Sequence, residues 1–186
     1  MINTTSPPAP SIFFLAFSVI AIGTYYFLEV WYLGALNMYG VGRIFMFRIP
    51  RGNELLDYIN RFAQVNNISM AWINAIGSIE DVELAYYDRT IGEYLVKKYP
   101  GVYELVVGTG NISLRDNKPF THMHVVIGDQ ENKAYAGHLV KAQVYVAEIV
   151  IVEFTGEPKL VREHVGGKLW LWPIRELVNT SSTKTS

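Results

Sequence analysis

Three of the chain's four histidines fall in one stretch, "THMHVVIGDQENKAYAGHL", residues 121–139. His122 and His124 are two residues apart, and His138 follows fourteen residues after His124. Side chains at i and i+2 of a strand share a face, about 6.6 Å apart along it. Two imidazoles at that spacing can lean onto one ion at roughly 2.0–2.1 Å. The polar run "GDQENK" reads as a turn, and a turn centred near Glu131 pairs residues whose numbers sum to 262. His138 then lies directly opposite His124, on the same face. A slip of two keeps all three rings together and pairs His138 with His122, whereas a slip of one sends His138 to the other side. Three neutral imidazoles with one open position are the donor set of catalytic zinc sites. The competing reading is three rings that hydrogen-bond within a subunit interface and bind nothing.

No cysteine is present, so disulfides and thiolate ligands are excluded and a transition metal must use histidine, carboxylate or water. Nitrogen ligands suit zinc without excluding nickel or iron. Because a ligating imidazole must be neutral, affinity is expected to fall below about pH 6.5, the unperturbed histidine value. Other residues offer less. Glu148 shares strand parity with His138 but lies about 33 Å along a straight strand, and suits a pairing across a subunit boundary or a buried polar cap. Asp129 belongs to the turn, where Asp is common for backbone reasons. His164, in "REHVGG", is expected on the surface. "GTGNIS" is glycine-rich but does not lead from a strand into a helix, so it is a poor phosphate cradle. No nucleophile can be placed beside a histidine by spacing alone. "LWLWPI", residues 169–174, reads as an edge strand or packing segment.

The elements that must hold these rings read as one α+β domain over residues 42–172, mainly antiparallel sheet with a flanking amphipathic helix. "GRIFMFRIP" is a strand ended by Pro50. "GNELLDYINRFAQVNN" is a helix with Asn53 as N-cap and an apolar stripe of Leu55, Leu56, Ile59, Phe62 and Ala63, stopped by Asn66-Asn67. "ISMAWINAIGSIEDVELAYYD" is one strand or two, interrupted at Gly77. "EYLVKKYPGVYELVVGTGNISL" reads as a hairpin around Pro100-Gly101, with a bend or bulge at 108–110. "AQVYVAEIVIVEF", residues 142–154, is apolar on both faces apart from Glu148 and Glu153, which calls for cover on both sides.

The 186 residues suffice for one ordinary domain. Sixteen basic and 17 acidic residues give a formal net charge of −1, with no long-range pull toward nucleic acid or an anionic membrane. Before the domain, residues 1–11 form a polar tail and 12–37 an apolar leader. No charged side chain occurs from Met1 through Leu28, and ten Ile, Leu, Phe or Val residues lie between Ile12 and Leu28. Each is worth roughly −0.3 to −0.6 kcal/mol on the insertion scale, so the segment reads as a transmembrane helix. Arg43, Arg48 and Arg51 follow it, which places the domain in the cytoplasm. A cleaved signal peptide fits less well, because no basic n-region precedes the run. The other reading takes Met38 or Met46 as the true start and makes the protein simply cytoplasmic. Residues 173–186 form a polar tail.

"RIPRGNELLDYI", "INAIGSIEDVELAYYD", "YELVVGTGNISL" and "PFTHMHVVIGD…AYAGHLV" follow one another in the order seen in the PPC (plant and prokaryote conserved) domain, which residues 42–156 resemble. The Pro-Phe-x-His-x-His strand and the later Gly-His-Leu are the most specific parts. The resemblance implies an α+β fold with a mainly antiparallel sheet, a tight homotrimer and, as in several prokaryotic members, a histidine-bound metal. Plant members join the domain to AT-hook peptides. Here no Arg-Gly-Arg-Pro or basic run occurs, and "PRG" at 50–52 lies between a strand and a helix, so no direct nucleic-acid binding is expected. The expectation is therefore a trimeric metal-binding module for assembly or regulation, with Zn(2+) at His122, His124 and His138. The alternative is a zinc-dependent hydrolase using metal-bound water, which needs a general base that spacing does not supply. A DNA-binding protein ranks third.

Overall fold

The computed structural model describes residues 38–173. The leader at 12–37, the tail at 1–11 and the C-terminal tail beyond 173 lie outside the described residues. Among the described residues no helix is long and apolar enough to cross a membrane.

The order is β1 (Gly40–Ile49), α1 (Leu55–Val65), β2 (Ala71–Asp88), β3 (Glu93–Arg115), β4 (Lys118–Gly128), β5 (Ala134–Thr155), β6 (Glu163–Gly166) and β7 (Leu169–Leu171). Five strands form one antiparallel sheet in the order β1-β5-β2-β3-β4, and β4 also pairs with β5. The sheet thus closes on itself through β5, whose first residues meet β4 and whose later residues meet β1. The short β6–β7 hairpin stands apart as a two-stranded sheet.

α1 forms where the apolar stripe repeats. Leu55, Ile59 and Ala63 are buried, while Leu56 and Phe62 are half-buried. Its start corrects the expected cap. The main chain of Gly52 and Asn53 is occupied by β5, through Gly52 N–H to the Val144 carbonyl and Val144 N–H to the Asn53 carbonyl. Glu54 caps instead: its carboxylate accepts from Asp57 N–H at 2.6 Å and from Ala142 N–H of β5 at 3.1 Å. The helix stops at Asn66 and Asn67, with Asn67 at φ 54°. Arg43 of β1 ties this end down, donating to the Asn66 carbonyl and, through Nε and Nη2, to both carboxylate oxygens of Glu153. Phe62 stacks on Phe47 and meets Phe45 edge-on, fixing α1 over β1.

Two local expectations are overturned. β3 runs unbroken through Pro100-Gly101, and the hairpin turn lies at Arg89–Gly92, closed by the Gly92 N–H on the Asp88 carbonyl. Pro100-Gly101 is a bulge: Glu80 pairs with Val102 and Val82 with Tyr99, so β3 holds one extra residue. Gly101 sits at φ 88° and donates to the Asp81 carboxylate. Proline and glycine serve a bulge as readily as a turn, because the missing N–H and the positive φ both fall outside the regular ladder. The second bulge is at Val106, not at 108–110, since Ala75 pairs with Gly108 and Gly77 with Leu105.

β2 is continuous through Gly77, where a Cβ would lie 2.1 Å from the Val146 carbonyl oxygen; the glycine permits close approach rather than interruption. In the second half of β5, Ala147, Ile149, Ile151 and Glu153 are buried. Val146, Val150 and Val152 on the other side are half-buried, and Tyr145 and Glu148 are exposed.

Candidate metal centre

β4 alternates cleanly. Thr121, Met123, Val125 and Ile127 face the core, so His122 and His124 share the opposite face. Asn60 of α1 fixes the approach to this strand by accepting from Thr121 N–H at 2.8 Å. The turn is locked by Asp129, whose carboxylate accepts from Glu131 N–H, Lys133 N–H and the Tyr135 hydroxyl. His124 consequently pairs with His138 in the β4–β5 ladder, the register that the turn centre implies.

The three rings form a triangle with centroid separations of 5.2, 4.9 and 5.4 Å. One nitrogen from each can be chosen so that all lie within 4.8 Å of one another. His122 Nε2 and His138 Nδ1 are 3.1 Å apart and share a hydrogen bond in which one ring donates and the other accepts. Tetrahedral ligands at a metal–nitrogen length of roughly 2.0–2.1 Å stand roughly 3.3 Å apart. Small side-chain rotations bring the cluster to that spacing, so the donor set fits a divalent metal.

Burial and surrounding charge suit neutral rings. Burial, then the charges of His138, Arg162 and His124, lowers the His122 pKa to about 4. Burial, then the charges of His124 and Arg162, brings His138 to about 4. Both rings therefore stay neutral well below pH 6.5. Tyr94 of β3 stacks on His138 at 5.1 Å and 27°, and Tyr87 meets Tyr94 edge-on.

Of the other residues weighed, Glu148 lies opposite Arg48 in the β1–β5 ladder, away from the histidines. His164 is exposed, bonded to the Gly167 carbonyl and packed against Trp170. Two neighbours of the cluster gave no signal in the sequence. Tyr94 sits in an ordinary strand pattern, and Arg162 arrives by a contact that spans 49 residues, from its Nε to Ser113 Oγ.

Among the described residues the architecture is a closed antiparallel sheet with one helix, and the histidine triangle stands on its fourth and fifth strands. The chain belongs to the Plants and Prokaryotes Conserved (PCC) domain family, also written PPC, whose model matches residues 37–155. It is similar to a plant- and prokaryote-conserved protein from Pyrococcus horikoshii, at 39% identity and TM-score 0.74, over 76% of this chain and 99% of that one. A metal-containing protein from Archaeoglobus fulgidus is 33% identical at TM-score 0.69, over 74% and 97% of the two chains. A Bacteroides thetaiotaomicron protein, whose description proposes DNA binding, is 25% identical at TM-score 0.64, over 74% and 98%. No curated protein is significantly similar in sequence.

Proposed function

We propose that this protein is a metal-binding PCC-domain module, holding one divalent ion at His122, His124 and His138 and serving assembly or regulation. The observation that carries the reading is the convergence of three ring nitrogens within 4.8 Å of one another on one face of a rigid sheet. The metal content described for the A. fulgidus relative supports it. Zinc is the first candidate, since it accepts three imidazoles and a fourth water or anion without a demand on d-electron geometry. The hydrolase alternative gains no support: among the described residues the convergent cluster is His122, His124 and His138, with no carboxylate among its members to act as base. A net charge of −1 gives no long-range pull toward DNA.

The module is proposed to act as a homotrimer. Ile44, Met46, Trp72, Ile76, Val106 and Tyr145 are exposed apolar side chains that a neighbouring copy would cover. Residues 12–37 are proposed to tether it to the cytoplasmic side of a membrane, unless translation starts at Met38 or Met46. Elemental analysis of the full chain, purified without chelator, supplied with zinc and dialysed, is expected to return one metal per subunit. Retention of none overturns the metal reading. Light scattering is expected to give a trimer mass, and a monomer at micromolar concentration would refute that part.

A further inference from the structure

We propose that Arg162 is the second pole of a ligand site. A small oxyanion, of carboxylate or phosphate type, binds between the open position of the three-histidine centre and the Arg162 guanidinium. This rests on the metal reading above and adds the chemistry of what the metal's free position takes.

Arg162 is 6% exposed, and each of its named hydrogen bonds goes to a neutral oxygen. Nε donates to Ser113 Oγ at 2.9 Å, Nη1 to the Trp170 carbonyl at 2.9 Å and Nη2 to Asn111 Oδ1 at 2.8 Å. A guanidinium has five N–H donors, so two remain. Among the described residues no carboxylate pairs with it. Burying a charge without a counter-ion is costly. The contrast lies in the same molecule: buried Glu153 has its counter-ion in Arg43.

The position of this charge is specific. Asn111 pairs with His122 across the β3–β4 ladder, and Ser113 pairs with Phe120, so both of these Arg162 partners lie on the histidine-bearing face. The guanidinium packs over the Phe120 and Trp172 rings, 5.4 and 5.6 Å from their centroids. The Arg162 backbone is held by its N–H on the Leu114 carbonyl at 2.7 Å. The β6–β7 hairpin that follows reaches the β2–β3 turn, where Lys168 meets Glu93 at 3.4 Å and a Cβ on Gly167 would lie 2.8 Å from the Gly92 carbonyl oxygen. The histidine triangle is thus flanked by Arg162 along β4 and by Tyr94 along β3.

Charge then selects the ligand. Three neutral imidazoles leave a bound divalent ion with its full charge, and Arg162, bonded to the cross-strand partner of His122, adds another positive charge on that face. A ligand with two or more oxygens on one atom gives one to the metal and another to the guanidinium, whose planar fork matches such groups. A neutral ligand would leave the excess charge uncompensated.

The test uses the full-length protein loaded with cobalt(II), whose visible absorption reports the fourth ligand, titrated separately with acetate and inorganic phosphate. Wild type is expected to bind at least one of them at least about tenfold more tightly than Arg162→Gln, the low end for a hydrogen bond to a charged group. Arg162→Lys is expected to recover part of the difference, with metal stoichiometry unchanged in both variants. The preferred anion identifies carboxylate or phosphate as the natural chemistry. In case either substitution loosens the β6–β7 hairpin, the side-chain nitrogen resonances of Arg162 in wild type are expected to shift as the anion saturates. Cobalt-loaded protein that binds both anions equally with and without Arg162, binds neither, or leaves those resonances unmoved overturns the proposal while the metal reading stands. Wild type that holds no metal defeats both, and elemental analysis separates that failure from the first.

Discussion

His124 and His138 are direct cross-strand partners, joined by a turn whose register Asp129 fixes through three hydrogen bonds. The position of the third ring is therefore set by backbone pairing rather than by a flexible loop. His122, one strand-repeat away from His124, completes the triangle through its 3.1 Å contact with His138. A site built on paired strands loses little entropy when a metal arrives.

His138→Ala is expected to remove stoichiometric metal. Its cost should exceed the roughly 10–100-fold that changes behind the ligands produce, because a ligand itself is lost. His124→Ala should do the same, and His164→Ala should leave metal content at the wild-type value. Elemental analysis of the three variants, with circular dichroism to confirm folding, checks this.

Metal-free protein should lose stability as pH falls from about 6.5 to about 4. In the folded state burial, with nearby His124 and Arg162, keeps His122 and His138 neutral down to about 4. In the unfolded chain they take up protons near 6.5. Below that value the unfolded state binds more protons, so acidification favours it; above it the two states bind equally and the effect vanishes. Urea midpoints of chelated protein between pH 4.5 and 7.5 should slope downward toward acid, and the double variant His122→Gln/His138→Gln should flatten the slope. An unchanged slope would show that these rings do not carry it.

Much of this was legible because periodicity and turn chemistry are local. The helix stripe Leu55–Ile59–Ala63, the Asn66-Asn67 stop and the even-sum register of the histidine turn follow from residues within one element or one hairpin. What was not legible depends on partners far along the chain. Pro100-Gly101 carries turn residues, yet Asp81, across the ladder, makes it a bulge. Asn53 is a better capping residue than Glu54 in isolation, but its main chain is already paired with Val144. Arg162 gains its meaning only from Asn111 and Ser113. Its neighbours in sequence do not announce it.

Glu54→Ala is expected to cost about 2–3 kcal/mol. About 1 kcal/mol comes from the lost helix cap, and about 1–2 kcal/mol from leaving the N–H of buried Ala142 without its acceptor. Asn53→Ala should cost less than about 1 kcal/mol, because its side chain makes only exposed contacts. Denaturant unfolding of both variants checks the order. The reverse order would restore Asn53 as the functional cap.

Gly110→Ala joins fold and site in one experiment. A Cβ there would stand 2.2 Å from the His122 carbonyl oxygen and 2.6 Å from Met123 Cγ. Backbone cannot yield as a flexible side chain does, so β3 and β4 must separate locally. The expected cost is about 1–3 kcal/mol, the usual range for overpacking, with metal binding weakened because the displaced strand carries His122. Gly101→Ala is the control. Its added Cβ meets nothing within 4 Å, but the φ of 88° is strained for alanine. It should cost about 1–2 kcal/mol of backbone strain and leave metal affinity unchanged. Unfolding curves and metal titrations on the two variants separate the effects, and equal loss of metal in both would show that the close approach at Gly110 does not position His122.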